Sequence, residues 1–268
     1  MRQRRHAPGQ LFWRGVIAGV SGVAMVTGIY PLLPQVGTAV ATRGRTSLRV
    51  LGREWAVALG MSAVRPAGFL PLPGAHGHGP RPVIVLHGYA MGRANFLPLA
   101  ARLAKAGLGP VLGFEYWTLG KTASAARRLA AYVDRVRAQT GAAQVDLVGH
   151  SMGGVVARYY VTLGGGDKSV ANLITIGSPH LGTDVSAVGL GRPAKELVKG
   201  SSLMQRLAVA PPPSTRVTVI WSTADSLVPG AREARLPGVD EIVYDDLGHM
   251  SLLASKRVAN DVIARLKR

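Results

Sequence analysis

One stretch decides the fold: Gln144-Val145-Asp146-Leu147-Val148-Gly149-His150-Ser151-Met152-Gly153-Gly154. Its alternating apolar residues predict a short buried strand, and residues 155–163 return to helical periodicity. Between the two, Gly149 to Gly153 spell G-x-S-x-G. A strand, a tight serine turn and a helix in this order form the context that lifts a serine hydroxyl clear of a sheet. We therefore predict that Ser151 is a nucleophile.

The glycines beside Ser151 support this interpretation. Gly149 and Gly153 carry no Cβ atom that could clash in a turn tight enough to strain the serine backbone. The hydroxyl would then lie at the N-terminus of the next helix, whose dipole favours a developing anion. A purely structural turn is the alternative, since Gly and Ser are common in turns. The flanking strand and helix favour catalysis.

Composition limits the other classes of protein. The 268 residues are enough for one large α/β domain with a buried core and an appendage. The absence of cysteine excludes a disulfide framework, a thiol nucleophile and a cysteine metal site. The net charge of +18 is uneven, because the first 53 residues hold eight arginines and no acid. Such a basic surface could attract anionic lipid, but no nucleic-acid motif accompanies it, so we do not predict nucleic-acid binding.

Residues 1–41 are predicted to form a signal anchor or a signal peptide. Gly15–Leu33 contains no charged residue and has about the 20 residues needed to span a bilayer. It is longer than the roughly 7–15 residues of a typical signal-peptide core, although Ala39-Val40-Ala41 offers a cleavage pattern. The arginines before this segment favour a cytoplasmic Met1. We expect the rest of the chain to be membrane-anchored and extracytoplasmic, or secreted if the signal is cleaved.

Residues 42–80 are predicted to hold an amphipathic segment and a linker. One helical face carries the residues Leu48, Leu51, Trp55, Leu59 and Ser62. We expect this helix to pack on its own domain, with a membrane surface as the alternative. Five prolines and a Gly-Ala-His-Gly-His-Gly run follow within 66–82, which is typical of a linker or a domain-edge loop.

Residues 81–268 are predicted to form a doubly wound, mostly parallel α/β sheet. Strand-like and helical segments alternate along this part of the chain. The predicted strands are 83–86, 110–116, 145–148, 171–176, 217–221 and 241–244, and the predicted helices include 96–106, 123–140 and 155–163. Residues 184–214 interrupt the alternation with a basic amphipathic piece and three consecutive prolines. Their length suits a flap or partial lid over a site.

Position along the chain completes a catalytic triad. Asp225 lies in the loop after the strand at 217–221, and His249 follows the strand at 241–244. The order Ser151, Asp225, His249 matches the Ser…Asp/Glu…His order of serine hydrolases built on such a sheet. Each residue would lie at the carboxyl end of a strand, where open α/β sheets bind their ligands.

Several side chains compete for these roles. Asp245 and Asp246 are rivals for the acid, although they are too close to His249 in sequence to approach it from another strand. His180 is the second candidate for the base. His150 adjoins Ser151, so we expect its side chain to point elsewhere and to hold the turn.

An oxyanion hole is predicted from two backbone amides. The residue after the nucleophile supplies one amide, and the loop after the first strand supplies the other. Here these are Met152 and Tyr89. Gly88 would let the chain approach the substrate closely, and His87 is expected to bond loop backbone rather than to act in catalysis.

Four motifs carry a resemblance to a known family. They are His87-Gly88, Gly149-His150-Ser151-Met152-Gly153-Gly154, Ser222-Thr223-Ala224-Asp225-Ser226-Leu227-Val228 and Leu247-Gly248-His249-Met250-Ser251-Leu252-Leu253. From about residue 81 onwards the chain resembles the bacterial α/β-hydrolase lipases, and most closely the small secreted triacylglycerol lipases that lack a full lid. The resemblance implies an α/β-hydrolase fold and carboxylester hydrolysis by Ser151, Asp225 and His249. The N-terminal 80 residues and the long 184–214 segment depart from that family, and both differences would surround an acyl pocket.

The predicted function is therefore serine carboxylester hydrolysis of lipid or fatty-acyl esters. It requires no cofactor, no metal and no obligate protein partner. An acyltransferase or a thioesterase would use the same triad and is the first alternative. A non-catalytic, membrane-tethered binding module on a hydrolase fold is the second, although such a module would be expected to have lost a triad residue.

Overall fold

A computed structural model describes residues 48–63, 70–184, 190–228 and 231–268. The described chain forms a six-stranded sheet in which all neighbouring strands are parallel, in the order β2-β1-β3-β4-β5-β6. The strands are β1 Val83–Leu86, β2 Val111–Phe114, β3 Val145–His150, β4 Val170–Ile176, β5 Arg216–Ser222 and β6 Asp240–Tyr244.

The α-helices cover both faces of this sheet. They are α1 Leu48–Ala63, α2 Leu97–Lys105, α3 Thr122–Thr140, α4 Met152–Leu163, α5 Pro193–Glu196, α6 Ser202–Ala208, α7 Ala231–Ala234, α8 His249–Ala254 and α9 Lys256–Leu266. Short 3₁₀ turns precede α2 and β4. The predicted doubly wound α/β architecture is confirmed.

The sheet reverses its winding between β1 and β3. The chain passes from β1 to β2 at one edge, and then returns to the other side of β1 to form β3 and the later strands. Every residue of β1 and β3 is buried, as expected for central strands covered on both faces. In an open parallel sheet, such a reversal leaves a crevice at the carboxyl ends of the strands. The serine turn follows β3 directly and therefore lies at this end of the sheet.

Two hydrophobic layers flank the sheet. On one face, apolar residues of α1, α2, α8 and α9 pack against side chains such as Val85 and Ile174. On the other face, α3, α4 and α6 pack against side chains such as Leu86 and Leu147. The helix that carries His249 and the helix that follows Ser151 therefore lie on opposite faces of the sheet.

Helix α1 packs on the domain, but through a different face from the one predicted. Among the α1 residues whose side chains are described, Glu54, Ala58 and Met61 are buried, whereas Trp55 is 39% exposed and Leu59 is 52% exposed. The prediction of the packed face from apolar side chains was wrong. The physical reason is that this face of α1 meets the backbone amides of Met250 and Ser251. A carboxylate such as that of Glu54 can accept hydrogen bonds from these amides, whereas an apolar side chain cannot.

Most of the predicted flap is attached to the domain. Leu197, Leu203 and Leu207 are buried in the same hydrophobic layer as α3 and α4. The Thr183 amide donates to the Leu197 carbonyl at 2.8 Å, and Glu196 accepts from the Thr122 amide at 2.7 Å. Residues 185–189, which belong to the predicted flap, lie outside the described residues.

The predicted anchor or signal segment, residues 1–41, also lies outside the described residues. None of the helices that the structure describes is both long enough and apolar enough to cross a membrane.

Candidate active site

Ser151 occupies a strained turn between β3 and α4. Its φ of 55° and ψ of −126° lie in a backbone region that residues other than glycine rarely adopt. The Ser151 amide donates to the Ile176 carbonyl at the end of β4, with a distance of 2.9 Å. The turn is thereby fixed to the neighbouring strand, and the side chain of Ser151 stays partly accessible.

Close backbone approaches explain the glycines of the turn. A Cβ atom on Gly149 would lie 2.5 Å from the Cα of Gly154, and one on Gly153 would overlap the Leu86 carbonyl oxygen at the end of β1. A real Cβ does not tolerate either contact. The G-x-S-x-G spacing is thus required by the packing of the turn on itself and on β1.

Asp225 lies in the loop after β5 and is 2% exposed. One carboxylate oxygen, Oδ1, accepts from the amides of Leu227 and Val228 at 2.8 and 2.9 Å. The other oxygen, Oδ2, lies 2.7 Å from Nδ1 of His249. The backbone bonds therefore fix the carboxylate, and its second oxygen is directed at the imidazole.

His249 is the first residue of α8 and is 3% exposed. Because a carboxylate only accepts hydrogen bonds, its contact with Asp225 assigns the proton to Nδ1 and leaves Nε2 as the basic nitrogen. Burial alone would lower the pKa of His249, but the charge and hydrogen bond of Asp225, with a smaller effect of Glu54, raise that pKa above its ordinary value. The protonated form of His249 is thus stabilised by the buried carboxylate of Asp225.

Gly177, immediately after β4, packs against the Asp225–His249 pair. Its φ is +56°, and a Cβ at this position would lie 3.2 Å from Asp225 Oδ2 and 3.3 Å from His249 Nδ1. The Gly177 amide donates to the Ile220 carbonyl at 2.8 Å. A larger residue here would be strained and would also press on the contact between Asp225 and His249.

The two predicted oxyanion amides belong to residues that adjoin Ser151 or a close neighbour of Ser151. Met152 is the first residue of α4, where an amide has no acceptor within the helix. Tyr89 follows β1, and a Cβ on its neighbour Gly88 would lie 3.0 Å from the Cβ of Ser151. The Tyr89 hydroxyl donates to the Leu190 carbonyl at 2.8 Å and accepts from the Leu190 amide at 2.7 Å. The loop after β1 therefore reaches Ser151 and also binds Leu190 within the 184–214 segment.

The rival acids and the rival base lie in other environments. Asp245 is exposed, and Asp246 forms an ion pair with Arg257 at 2.5 Å. His180 Nε2 lies 2.8 Å from the Thr175 hydroxyl, and burial and then the charge of Arg158 lower the pKa of His180 well below its ordinary value. His180 is a buried neutral side chain in the loop after β4.

The other two histidines near the turn bond to neighbouring loops. His150 Nε2 lies 3.1 Å from the carbonyl oxygen of His249, and burial is the main cause that lowers the pKa of His150 to about 3. His87 lies 3.1 Å from a carboxylate oxygen of Glu115 and stacks on Tyr116 with ring centroids 4.6 Å apart. His87 Nδ1 also lies 3.0 Å from the Gly88 carbonyl oxygen, so both histidines contact loop backbone as expected. The contact from His150 to the His249 carbonyl connects the Ser151 turn with the chain segment at the start of α8.

Sequence reasoning missed Glu54, which reaches the segment of His249 from α1. A signal for it was present, because Glu54 is the only acid in the first 114 residues.

Across the ranges that the structure describes, no three His, Asp or Glu side chains are grouped as a metal site would require.

The chain is similar to known proteins in both sequence and structure. A family model described as the alpha/beta hydrolase fold matches residues 81–196. Two curated triacylglycerol lipases, from Pseudarthrobacter phenanthrenivorans and Burkholderia plantarii, are each 46% identical to the chain over 57 residues, or 21% of its length. The matched stretch spans only 17% and 15% of those two proteins.

Solved structures extend the similarity over most of the chain. The mature form of Bacillus licheniformis lipase BlEst2 has a TM-score of 0.61 at 18% identity, covering 69% of this chain and 91% of that one. Aspergillus fumigatus lipase B has a TM-score of 0.60 at 15% identity, covering 73% of this chain and 54% of that one. At these identities the similarity is one of fold. The chain therefore has the α/β-hydrolase fold, and the family model covers the part of that fold from residue 81 to residue 196.

Proposed function

We propose that the protein is a serine carboxylester hydrolase that acts on lipid or fatty-acyl esters. The observation that carries the proposal is the buried contact of 2.7 Å between His249 Nδ1 and Asp225 Oδ2. It lies at the same edge of the sheet as the strained turn of Ser151. In this proposal Ser151 is the nucleophile, His249 the general base and Asp225 the acid that orients it.

Acylation is the first half of the reaction. The Ser151 oxygen attacks the ester carbonyl while His249 Nε2 takes the hydroxyl proton. Asp225 holds the imidazole by Nδ1 and offsets the charge of the imidazolium. The amides of Tyr89 and Met152 stabilise the tetrahedral oxyanion; loss of one such donor costs about 3–4 kcal/mol in a serine protease. His249 then gives its proton to the leaving alcohol, and an acyl-enzyme remains.

Deacylation repeats these steps with water. His249 takes a proton from the water as the water oxygen attacks the acyl carbonyl. Collapse of the second tetrahedral intermediate breaks the bond to Ser151, and His249 returns the proton to the serine oxygen. The products are a carboxylic acid and an alcohol, and the enzyme is regenerated.

The substrate class is supported by the relatives. The two curated proteins that share the 57-residue stretch are named triacylglycerol lipases, and the structural neighbours include further lipases. We therefore favour esters with apolar acyl chains over thioesters.

The N-terminal residues 1–41 are proposed to attach the protein to a membrane, with the α/β-hydrolase domain outside the cytoplasm.

A panel of p-nitrophenyl esters from acetate to palmitate tests this function. We expect hydrolysis by the parent protein and none by Ser151→Ala. The same assay with added alcohol acceptors, and with acyl thioesters in place of esters, separates the alternatives. Transfer to alcohol in preference to water would identify an acyltransferase, and a preference for thioesters would identify a thioesterase. No turnover of any acyl compound would contradict the proposal.

A further inference from the structure

Helix α1 carries a buried carboxylate that contacts the chain directly after His249. Glu54 is 2% exposed and accepts hydrogen bonds from the backbone amides of Met250 and Ser251, the latter at 2.9 Å. These are the two amides that directly follow His249 in the chain. Glu54 is separated from them by almost 200 residues, so the contact is purely tertiary.

The start of α8 needs such a partner. The first amides of a helix have no acceptor within the helix, and a side chain at the N-cap position normally supplies one. Here the N-cap residue is Gly248, which has no side chain to offer. Glu54 supplies the missing acceptor from another helix, and its negative charge lies at the favourable end of the helix dipole.

His249 is thus held from three directions. Asp225 bonds its Nδ1 atom, His150 Nε2 lies 3.1 Å from its carbonyl oxygen, and Glu54 binds the two amides that follow. The contact with Asp225 fixes the ring, and the other two fix the backbone from which the ring projects. Burial is the largest influence on Glu54 and raises its pKa above the ordinary value, although its bonds to Ser251 and Met250 act in the opposite direction.

We propose that Glu54 is a positioning residue for His249, and that helix α1 is therefore part of the active-site structure. The proposal rests on the proposed function, in which His249 is the general base. Glu54 touches no reacting atom. It acts by holding the first turn of α8 and by placing a negative charge near the imidazole. The charged groups that face His249 are then Asp225 and Glu54, with His150 beside them as a neutral ring.

The first test is Glu54→Gln, which keeps the shape of the side chain. An amide offers one acceptor oxygen where the carboxylate offers two, so one amide of α8 loses its partner. We expect kcat to fall by about 10- to 100-fold, the effect of a small misplacement of a catalytic group, with KM for a short ester unchanged. Loss of the charge should also move the acid limb of the kcat/KM profile to lower pH. Leu59→Ala, on the exposed face of the same helix, is the control and should change neither quantity.

The second test displaces Glu54 without replacing it. A Cβ on Gly248 would lie 2.5 Å from Glu54 Oε2, whereas the φ of −75° at Gly248 suits alanine. Gly248→Ala should therefore lower kcat by pushing the carboxylate away. Glu54→Ala removes the clash, so adding Gly248→Ala to that variant should cause no further loss. This pair also tests the proposal if Glu54→Gln fails to fold.

Two outcomes would overturn the proposal. One is a folded Glu54→Gln variant with the kcat and the acid limb of the parent, which would make Glu54 a structural residue only. The other is an additive loss of kcat in the double variant, which would show that Gly248→Ala does not act through Glu54. An NMR titration of His249 separates this from the proposed function. A parent protein that hydrolyses no ester, but whose His249 pKa falls in Glu54→Gln, would contradict the function and retain the link.

Discussion

Asp225 directs only one of its two carboxylate oxygens at His249. Oδ2 lies 2.7 Å from His249 Nδ1, while Oδ1 accepts from the amides of Leu227 and Val228. The backbone of the loop after β5 therefore fixes the Asp225 carboxylate independently of its contact with His249. An acid held in this way orients the imidazole and has no freedom to turn toward another partner.

Asp225→Asn tests this relationship. The amide nitrogen of asparagine can donate to Nδ1, which would place the histidine proton on the wrong nitrogen. We expect kcat to fall by about 10⁴-fold, as in the serine-protease precedent. Asp246→Asn is the control, because Asp246 pairs with Arg257 away from His249 and should leave kcat nearly unchanged. A severe loss in the control and a mild one in Asp225→Asn would require a different triad.

The pH dependence follows from the direction of the His249 shift. Burial lowers the pKa of His249, but Asp225 and Glu54 together raise it by more than burial lowers it. The pKa of His249 therefore lies above the ordinary value of about 6.5. Below that pKa the imidazole is protonated and cannot accept the Ser151 proton. We expect kcat/KM for a short ester to fall tenfold per pH unit on the acid side. In Asp225→Asn the acid limb should move to lower pH, and a limb that stays in place would contradict the pairing.

Tyr89→Phe tests how the 184–214 segment is held. The change removes the hydroxyl that bonds both backbone groups of Leu190 but leaves the Tyr89 amide in place. We expect the ratio of dodecanoate to acetate hydrolysis to change by about fivefold, which corresponds to about 1 kcal/mol for a lost hydrogen bond. Tyr132→Phe loses a hydroxyl contact to Gly113 instead and serves as the control. Equal effects on every ester would indicate a purely structural role for the tyrosine contact.

Two N-terminal deletions separate the predicted anchor from helix α1. Deleting residues 1–41 should give a protein that still hydrolyses short esters, because α1 is retained. Deleting residues 1–64 also removes Glu54 and should lower kcat. The full chain should sediment with membranes and resist alkaline carbonate extraction. Its release to the medium with a new N-terminus near Thr42 would show a cleaved signal peptide instead.

The sequence predicted those features that depend on short-range patterns. The alternation of apolar segments gave all six strands to within a few residues, because parallel strands buried on both faces carry continuous apolar runs. The glycine spacing around Ser151 predicted the strained turn, since the close approaches of Gly149 and Gly153 leave no room for a Cβ. The order of Ser151, Asp225 and His249 followed from which strand each one ends.

The features that were missed depend on long-range contacts. Periodicity placed the apolar face of α1 on Trp55 and Leu59, but the helix packs through Glu54 and Ala58. No pattern within α1 shows that its carboxylate meets the amides that follow His249 in a distant segment. The sequence likewise did not predict that residues 190–214 pack on the domain. The length of this segment suggests a flap, and length carries no information about which side chains its leucines contact.

The most direct test of the account is the site of labelling by a fluorophosphonate probe. The purified protein is treated with the probe, and the adduct is located by peptide mass spectrometry. We predict a single adduct on Ser151, loss of p-nitrophenyl ester hydrolysis in step with labelling, and neither labelling nor hydrolysis in a folded Ser151→Ala variant. An adduct on another residue, or ester hydrolysis that persists in Ser151→Ala with the pH profile of the parent, would contradict the assignment of Ser151 as the nucleophile.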